Sequence, residues 1–524
     1  MTEPSAGRGW DAALAAALIG AERAPPPSGN GALADLDPGG EAGPRLLARL
    51  AAHGLHHLAG TGRAAGALTP LPPRMAHGPE CPPAAATRLA LLLAAGPSRS
   101  RLAEWCDLAA ASGVRAPVWL LPALAPHRPD IASVETIAGA ELDWLAQACG
   151  GTAGTAPAPE DWQEGTPQER RAAFVAFRAR DPDGARAALE AGFKAEKAQM
   201  RETLVYALET GLGLADADFL ETCLDDRAAG VRSAAQRLLP HLPGSLFASR
   251  MAVRAKTALS VESKPRRSGE PALTLAVTLP EESPTLARDG VTPNAYEQRG
   301  GGARAGMLRE ILAAAPLSAF AEHPPAVWIE LALRCDFSEP VFEGLFRTIA
   351  RERDPDWLRD TAAVLAQAYA GRIEGVRRTK PLRDLWARAV TLLPPADWDA
   401  TVREAIRAGG NDVVLAFLGT GPAALSEGVS AAVLDWLAQV SRGSPSDRHQ
   451  LAKSWLLDRL GERLEPSEDA AAAAAAILAR LPEDAGERRL GEQFPRLVET
   501  LELRAAMRRE FSSIVLDIGS KTML

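Results

Sequence analysis

The sequence predicts an all-α protein built from stacked helical hairpins, with one short β-containing insertion near residues 261–306. Three observations carry that prediction. Apolar residues recur at helical spacing along most of the chain, the mark of amphipathic helices. Met200, Arg201, Leu204 and Leu208 are matched 31 residues later by Val231, Arg232, Ala235 and Leu239, a period of one helical hairpin. Alanine and leucine supply the apolar mass while aromatics make up only 5%, which favours closely packed helices over strands.

Taken in order, a first helix is predicted over 10–21, followed by a Pro/Gly-rich break through Gly40 and a second helix over 41–58. A turn-rich connection spans 60–83. Helices over 84–95 and 101–111 pair, and the segments 119–122 and 131–148 complete an N-terminal helical region, residues 1–150. Residues 150–159 are Gly, Ala, Thr and Pro, the composition of a linker. Pro167 marks a helix start, with Ala173, Phe174 and Phe177 on one face. Asp181-Pro182 breaks that helix, and 183–193 and 198–208 form the next hairpin.

The clearest hairpin lies over 216–250. Phe219, Leu220, Cys223 and Leu224 fall on one face of its first helix, and Val231, Ala234, Ala235, Leu238 and Leu242 on one face of its second. Asp226 stands where the second helix should begin, placed to accept from the free N–H groups there. Val231 and Arg232 follow at five and six residues. That order of residues resembles a HEAT repeat, so 160–260 is predicted to be HEAT-like and the whole chain an α-solenoid. Such a unit cannot bury its own apolar face and calls for stacked neighbours. The preceding copy carries Ala195 where the aspartate is expected.

From Val261 to Gly306 the helical pattern fails. Leu273–Leu279 alternates like a strand between turn residues. Six basic residues balance six acidic ones over this stretch, which disfavours a phosphate site. Two readings stay open: an arm that docks a partner, with Arg288, Asp289, Gly302 and Arg304 as contact residues, or a structural insertion filling one end of a repeat. Helical pattern returns at Met307 and fills a C-terminal region, 307–524. Leu382, Leu385, Trp386, Ala389 and Leu393 share one face there, and Val429, Val433, Trp436, Leu437 and Val440 another. The alanine run 470–476 is predicted helical, capped by Ser467 with Glu468 and Asp469 in its first turn. Ile514–Ile518 is β-branched and predicts a terminal strand, with Leu273–Leu279 as a candidate partner.

Composition narrows the function classes. The net charge is −8, from 58 basic and 66 acidic residues. Basic residues are interleaved with acidic ones, so nucleic acid is not the expected partner. Five scattered cysteines without a CxxC argue for reduced, mostly buried thiols in a cytoplasmic protein. No apolar run is long enough for a signal peptide or a membrane span. The excess of Ala, Arg, Gly and Pro points to a GC-rich bacterial genome.

Candidate chemistry is sparse. His53, His56 and His57 have helical spacing for a shared metal, with His77 and Cys81 downstream, but a zinc site normally offers a second tight pair; boundary histidines are the default. Residues 300–306 form a Gly-rich loop before a helix, without GxxxxGK[ST], and 519–522 is Gly-Ser-Lys-Thr without the upstream glycine. Asp216, Asp218, Asp225 and Asp226 sit around helix starts and are assigned to capping, with Arg232 pairing to a neighbouring repeat. Trp162, Trp386, Trp436 and Trp455 are assigned to helix packing. HExxH and GxSxG are missing. No catalytic, cofactor or metal residue is therefore assigned; Asp226, Val231 and Arg232 are assigned to the repeat.

Several further marks stand in the chain: Leu18-Ile-Gly-Ala-Glu-Arg23, Trp162 with Gly165 and Glu169-Arg170, and Asp181-Pro182 with Ala185-Arg186. To these add Leu220-Glu221 with Leu224-Asp-Asp-Arg227 and Val231-Arg232, then Arg288-Asp-Gly290, and Gly302-Ala-Arg304. Over roughly residues 10–320 they resemble an uncharacterised bacterial family, a domain of unknown function. The resemblance implies a HEAT-like scaffold with no activity to carry over. It also implies a partner set: a MoxR-type AAA+ ATPase, a von Willebrand A-domain protein and a SWIM zinc-finger protein. The expected function is a non-enzymatic scaffold or adaptor that binds another protein. The alternatives are a nucleotide-binding protein or enzyme using the Gly300–Gly306 loop, and a HEAT protein that cradles nucleic acid.

Overall fold

The computed structural model describes residues 14–23, 33, 40–58, 78–94, 99–148, 162–265, 272–293, 302–408, 410–481 and 488–521. The 150–159 linker, His77, Cys149, Gly300 and Gly301 lie outside these, as do the side chains of His56 and His57. The chain divides into two compact units, Met1–Met75 and Ala76–Leu524. The fold is all-α with a small β insertion.

In the first unit, helical residues 14–19 and α1 (Ala42–Leu58) meet through Ala16, Leu46, Ala21 and Leu50. Leu18, Ile19, Leu47 and Leu55 stay exposed.

The second unit opens with α2 (Pro83–Ala94), α3 (Arg99–Ala111) and α4 (Ser133–Ala148). Then follow α5 (Pro167–Arg180), α6 (Pro182–Gly192), α7 (Ala198–Ala207), α8 (Ala217–Cys223), α9 (Ala229–Leu238) and α10 (Leu246–Ala258). Their starts are set by local chemistry. Thr166 and Glu169 form a reciprocal capping box at α5, and the Asp181 carboxylate accepts from the Gly184 N–H at α6. Pro167 and Pro182 occupy first-turn positions, where no N–H is needed.

After the insertion come α12 (Ala303–Ala314), α13 (Pro325–Arg334), α14 (Ser338–Glu352), α15 (Pro355–Tyr369), α16 (Lys380–Val390), α17 (Pro395–Arg407), α18 (Asn411–Thr420) and α19 (Glu427–Ser441). The chain ends with α20 (Pro445–Lys453), α21 (Leu456–Arg463), α22 (Glu468–Leu478) and α23 (Arg488–Lys521). Helices repeatedly pack on the next but one: α5 on α7, α7 on α9, α12 on α14, α13 on α15, α16 on α18 and α17 on α19. One continuous core runs from Trp162 to Leu501 as a result. Ser467 caps α22 as expected, its hydroxyl accepting from the Ala470 N–H.

The insertion itself is a two-stranded antiparallel ribbon. β1 (Leu259–Lys264) pairs with β2 (Ala272–Val277), Leu259 opposite Val277 and Lys264 opposite Ala272. The partner of the 273–279 strand is thus its immediate sequence neighbour. Ile514–Ile518, expected as a terminal strand, is helical and belongs to α23. Local β-branching loses there to the continuation of a 34-residue helix. A short helix α11 (Pro284–Arg288) follows the ribbon.

Chain order and spatial order differ at the ends of this unit. The core of residues 81–142 is completed by Met507 and Phe511 of α23. Trp105 meets Phe511 edge-on at 5.4 Å. Arg88–Glu510 at 2.8 Å and Arg504–Glu104 at 2.7 Å flank that contact.

One device recurs at the layer boundaries: a buried or half-buried arginine caps the carboxyl end of a neighbouring helix. Arg178 donates to the carbonyls of Leu208, Thr210 and Gly211 beyond α7. Arg351 does so for Ala313 and Ala315, Arg463 for Leu418 and Pro422, and Arg504 for Gly461 and Leu464. The last carbonyls of a helix have no intrahelical donor, and a cation also answers the helix dipole there. Burial pushes the Arg463 guanidinium down to about 10.

Candidate functional site

The residues singled out in the sequence come together, and the structure shows what holds them. Arg201 Nη1 donates to the Glu196 carbonyl at 2.9 Å, and Arg232 Nη1 to the Arg227 carbonyl at 3.1 Å. Each bonds the carbonyl five residues back, so the 31-residue recurrence is also one of contacts. Val231 is fully buried. Asp226 lies two residues before the cap position of α9, which is Ala228. Its carboxylate accepts from the Ala228 N–H at 2.7 Å and from Arg201 at 2.9 Å. Burial raises the Asp226 carboxyl, but those two donors outweigh it and hold the group below the usual range. Arg232 binds the carbonyls of its own turn, Asp226 and Arg227, and among the described residues makes no bond to a neighbouring repeat. Asp216 is buried against Arg178 at 2.9 Å, and its carboxylate caps the 214–216 turn that leads into α8, accepting from the Gly213 N–H at 2.9 Å, while making no cap bond to α8 itself.

Around the insertion, three carboxylates and three arginines interlock. Asp289, with 1% of its side chain exposed, is bound by Arg250 at 2.7 Å and Arg254 at 2.7 Å. Burial pushes its carboxyl up, but hydrogen bonds from the two arginines reverse that shift and leave it lowered. Arg288 reaches Asp225 at 2.7 Å and Glu221 at 3.4 Å, and its guanidinium is raised chiefly by the Asp225 hydrogen bond. Gly290, at φ +85, completes the turn where a Cβ would meet the Gln236 side chain at 2.9 Å. Gln236 in turn donates to the Arg288 carbonyl. The Arg288-Asp-Gly290 mark and the Glu221…Asp225 mark therefore form one latch fixing α11 to α8, α9 and α10.

Arg304 has a different task. It donates to the carbonyls of Leu279 and Pro280, joining the start of α12 to the end of the ribbon. Gly302 stands at the amino end of α12 with φ 82. Arg304 and Asp289 thus engage separate partners. Among the described residues no group of three His, Cys, Asp or Glu side chains is placed to hold a metal. His53 is buried in α1. Cys81, Cys106 and Cys223 are buried free thiols, with Cys106 and Cys223 raised to about 12 mainly by burial. Trp162 and Trp436 are core residues, but Trp455 is 60% exposed at φ 55, with Arg489 over its ring.

An open cleft of ≈ 630 Å³ that no sequence motif marked lies between α13, α14 and α16. Leu333, Phe342, Val376, Leu382 and Leu385 give it apolar walls. The loop after α15 borders it, and 371–383 holds Arg372, Arg377, Arg378, Lys380 and Arg383 against a single acid, Glu374. A second cleft of ≈ 600 Å³ lies along α15, α16 and α17, lined by Ala362, Ala366, Trp386 and Leu393. Its rim charges pair off, Arg359 with Asp397 and Arg407 with Glu404. The local signal for the first cleft was the basic run in a chain of net charge −8.

An all-helical protein with a latched β insertion and open interhelical clefts is the class that fold and site define. The chain belongs to a family of unknown function (DUF5691), whose model matches residues 12–511. No curated protein and no solved structure matches it. No helix among the described residues is long and apolar enough to cross a membrane.

Proposed function

We propose that the chain is a non-enzymatic, HEAT-like helical scaffold or adaptor that binds another protein in the cytoplasm. The observation that supports it best is the recurrent stacking of helices on the next but one, with clefts with apolar walls open between layers. Stacked helical arrays present extended surfaces of this kind to partners. The ion cluster around Asp289 supports the same reading from the other side. Its carboxylates are engaged by arginines, so it serves to fix the insertion and leaves no free general base. The insertion is accordingly part of the scaffold, with Leu286 and Val291 in the core. A MoxR-type AAA+ ATPase or a von Willebrand A-domain protein is the partner class that the family resemblance suggests.

The test is capture of the full-length chain with its partners from the source cells after crosslinking, with stoichiometry read by mass spectrometry. A partner recovered near one to one supports the scaffold. Recovery of no protein in stoichiometric amount refutes it. Deleting 261–306 is a poor control, because it removes core residues together with the latch.

A further inference from the structure

We propose that the cleft between α13, α14 and α16 is the docking groove for an amphipathic helix of the partner, with an acidic flank lying against the basic segment 371–383, which is the loop after α15 together with the first turn of α16. The proposal deepens the scaffold reading and rests on it.

The path of this segment is fixed by its backbone and by its engaged arginines. Gly371 and Gly375 take left-handed φ of 73 and 84, and Ile373 anchors the loop in the core. Arg378 lies 4.3 Å over the Tyr369 ring, whose hydroxyl donates to Asp412 at 2.5 Å. Arg383 pairs with Asp384 at 2.8 Å. Arg372, Arg377 and Lys380 are exposed and make no ion pair among the described residues. At low salt, exposed and unpaired cations such as Arg377 at an apolar wall attract a segment that offers carboxylates and apolar side chains together.

The charges across the cleft give the helix an orientation. On α14, Glu343 is engaged by Arg347 and Arg388, both at 3.5 Å, and Glu339 is exposed nearby. Among the cleft's lining charges Arg388 is paired with Glu343 and Asp384 with Arg383. Glu339 on α14 and Arg377 in the loop are exposed and make no ion pair among the described residues, so an acidic flank is repelled at α14 and attracted at the loop. A volume of ≈ 630 Å³ suits about three apolar anchors spaced i, i+4, i+7 along a helix. The second cleft, with its rim charges paired, has no such preference for sign.

The experiment uses the full-length chain and two fluorescein-labelled amphipathic peptides of about four helical turns. They share leucines at i, i+4, i+7 and i+11 and carry either glutamate or lysine along one flank. Fluorescence anisotropy at low salt is expected to show the glutamate peptide binding roughly tenfold or more tightly, about 1.4 kcal/mol. The double variant Arg377→Glu/Lys380→Glu should reverse that order. Both residues are exposed and unpaired, so the variant is expected to fold, which circular dichroism checks. Leu385→Asp should weaken the glutamate peptide independently. Equal binding of the two peptides, or glutamate binding that survives the double reversal, overturns the proposal. So does displacement of the peptide by a duplex oligonucleotide that binds more tightly at the same residues, which would assign the loop to nucleic acid. In the capture experiment, a stoichiometric partner kept by both wild type and double reversal removes this groove but leaves the scaffold standing. Failure of wild type to capture any partner removes the scaffold itself.

Discussion

Replacing Arg178 by methionine tests the idea that buried arginines, and not surface ion pairs, join the layers. Arg178 is fully buried and donates to the carbonyls of Pro182, Leu208, Thr210 and Gly211 and to the Asp216 carboxylate. Methionine keeps the apolar stem but leaves those acceptors without their donor. It also leaves Asp216, 2% exposed at its side chain, with only the Gly213 N–H and Arg186 at 3.5 Å. Removing one partner of a buried pair costs about 3–5 kcal/mol, because a buried charge is left uncompensated. At about 1.4 kcal/mol per decade, amides of the 208–216 turn should exchange hydrogen roughly two to four decades faster. Hydrogen-exchange mass spectrometry on peptides covering 198–216 reads this directly, with Arg359→Met as the surface control, expected to cost under about 1 kcal/mol. Protection that changes by less than tenfold in Arg178→Met would refute the reasoning.

Three further perturbations follow from the same contacts. Asp289→Asn should cost about 2–3 kcal/mol, since the carboxylate that joins Arg250 and Arg254 is lost while both arginines can partly rehydrate. Because Asp289 is held below its ordinary 3.8, its contribution is complete above that value and is lost as pH falls through the folded-state pKa. The urea midpoint of wild type should therefore fall more steeply below pH ~4 than that of Asp289→Asn; parallel acid limbs would contradict the latch. Gly344→Ala places a Cβ 2.6 Å from the Leu312 Cβ and 2.9 Å from the Arg309 carbonyl. The gain in helix propensity should be outweighed by about 1–3 kcal/mol of overpacking between α12 and α14, seen as a lower Tm; a raised Tm would show that the two helices separate freely. Ser467→Ala should lower stability by about 1 kcal/mol through loss of the bond to the Ala470 N–H, with Ser467→Asp retaining it.

Helix identity and the periodic apolar faces were legible in the sequence because both are set within a few residues: i, i+3 and i+4 spacing, prolines at first turns, and the Ser467 cap. The 273–279 alternation marked a strand for the same reason. β1 escaped because its apolar start, Leu259, continues the pattern of α10, and its exposed Glu262 and Lys264 carry no inward signal. Asp226 is expected to accept from the N–H groups at the helix start and does so at Ala228, but the cap position itself is Ala228, two residues on, a shift that cap spacing alone does not resolve. Arg178, sitting on the same helix face as Phe174, was a visible signal for a buried cation; its acceptors, about 30 residues away, were not.

By itself, then, the sequence determined where helices begin, which faces are apolar and that one stretch departs from the pattern. Only the tertiary structure decided that α2, α3 and α4 are completed by the far end of the chain, that Arg288-Asp-Gly290 closes on Glu221 and Asp225, and that a basic loop borders an apolar cleft. The physical reason is range. Backbone hydrogen bonding and amphipathic spacing act over one or two turns, whereas pairing of buried charges and closure of a core join residues that chain order keeps apart.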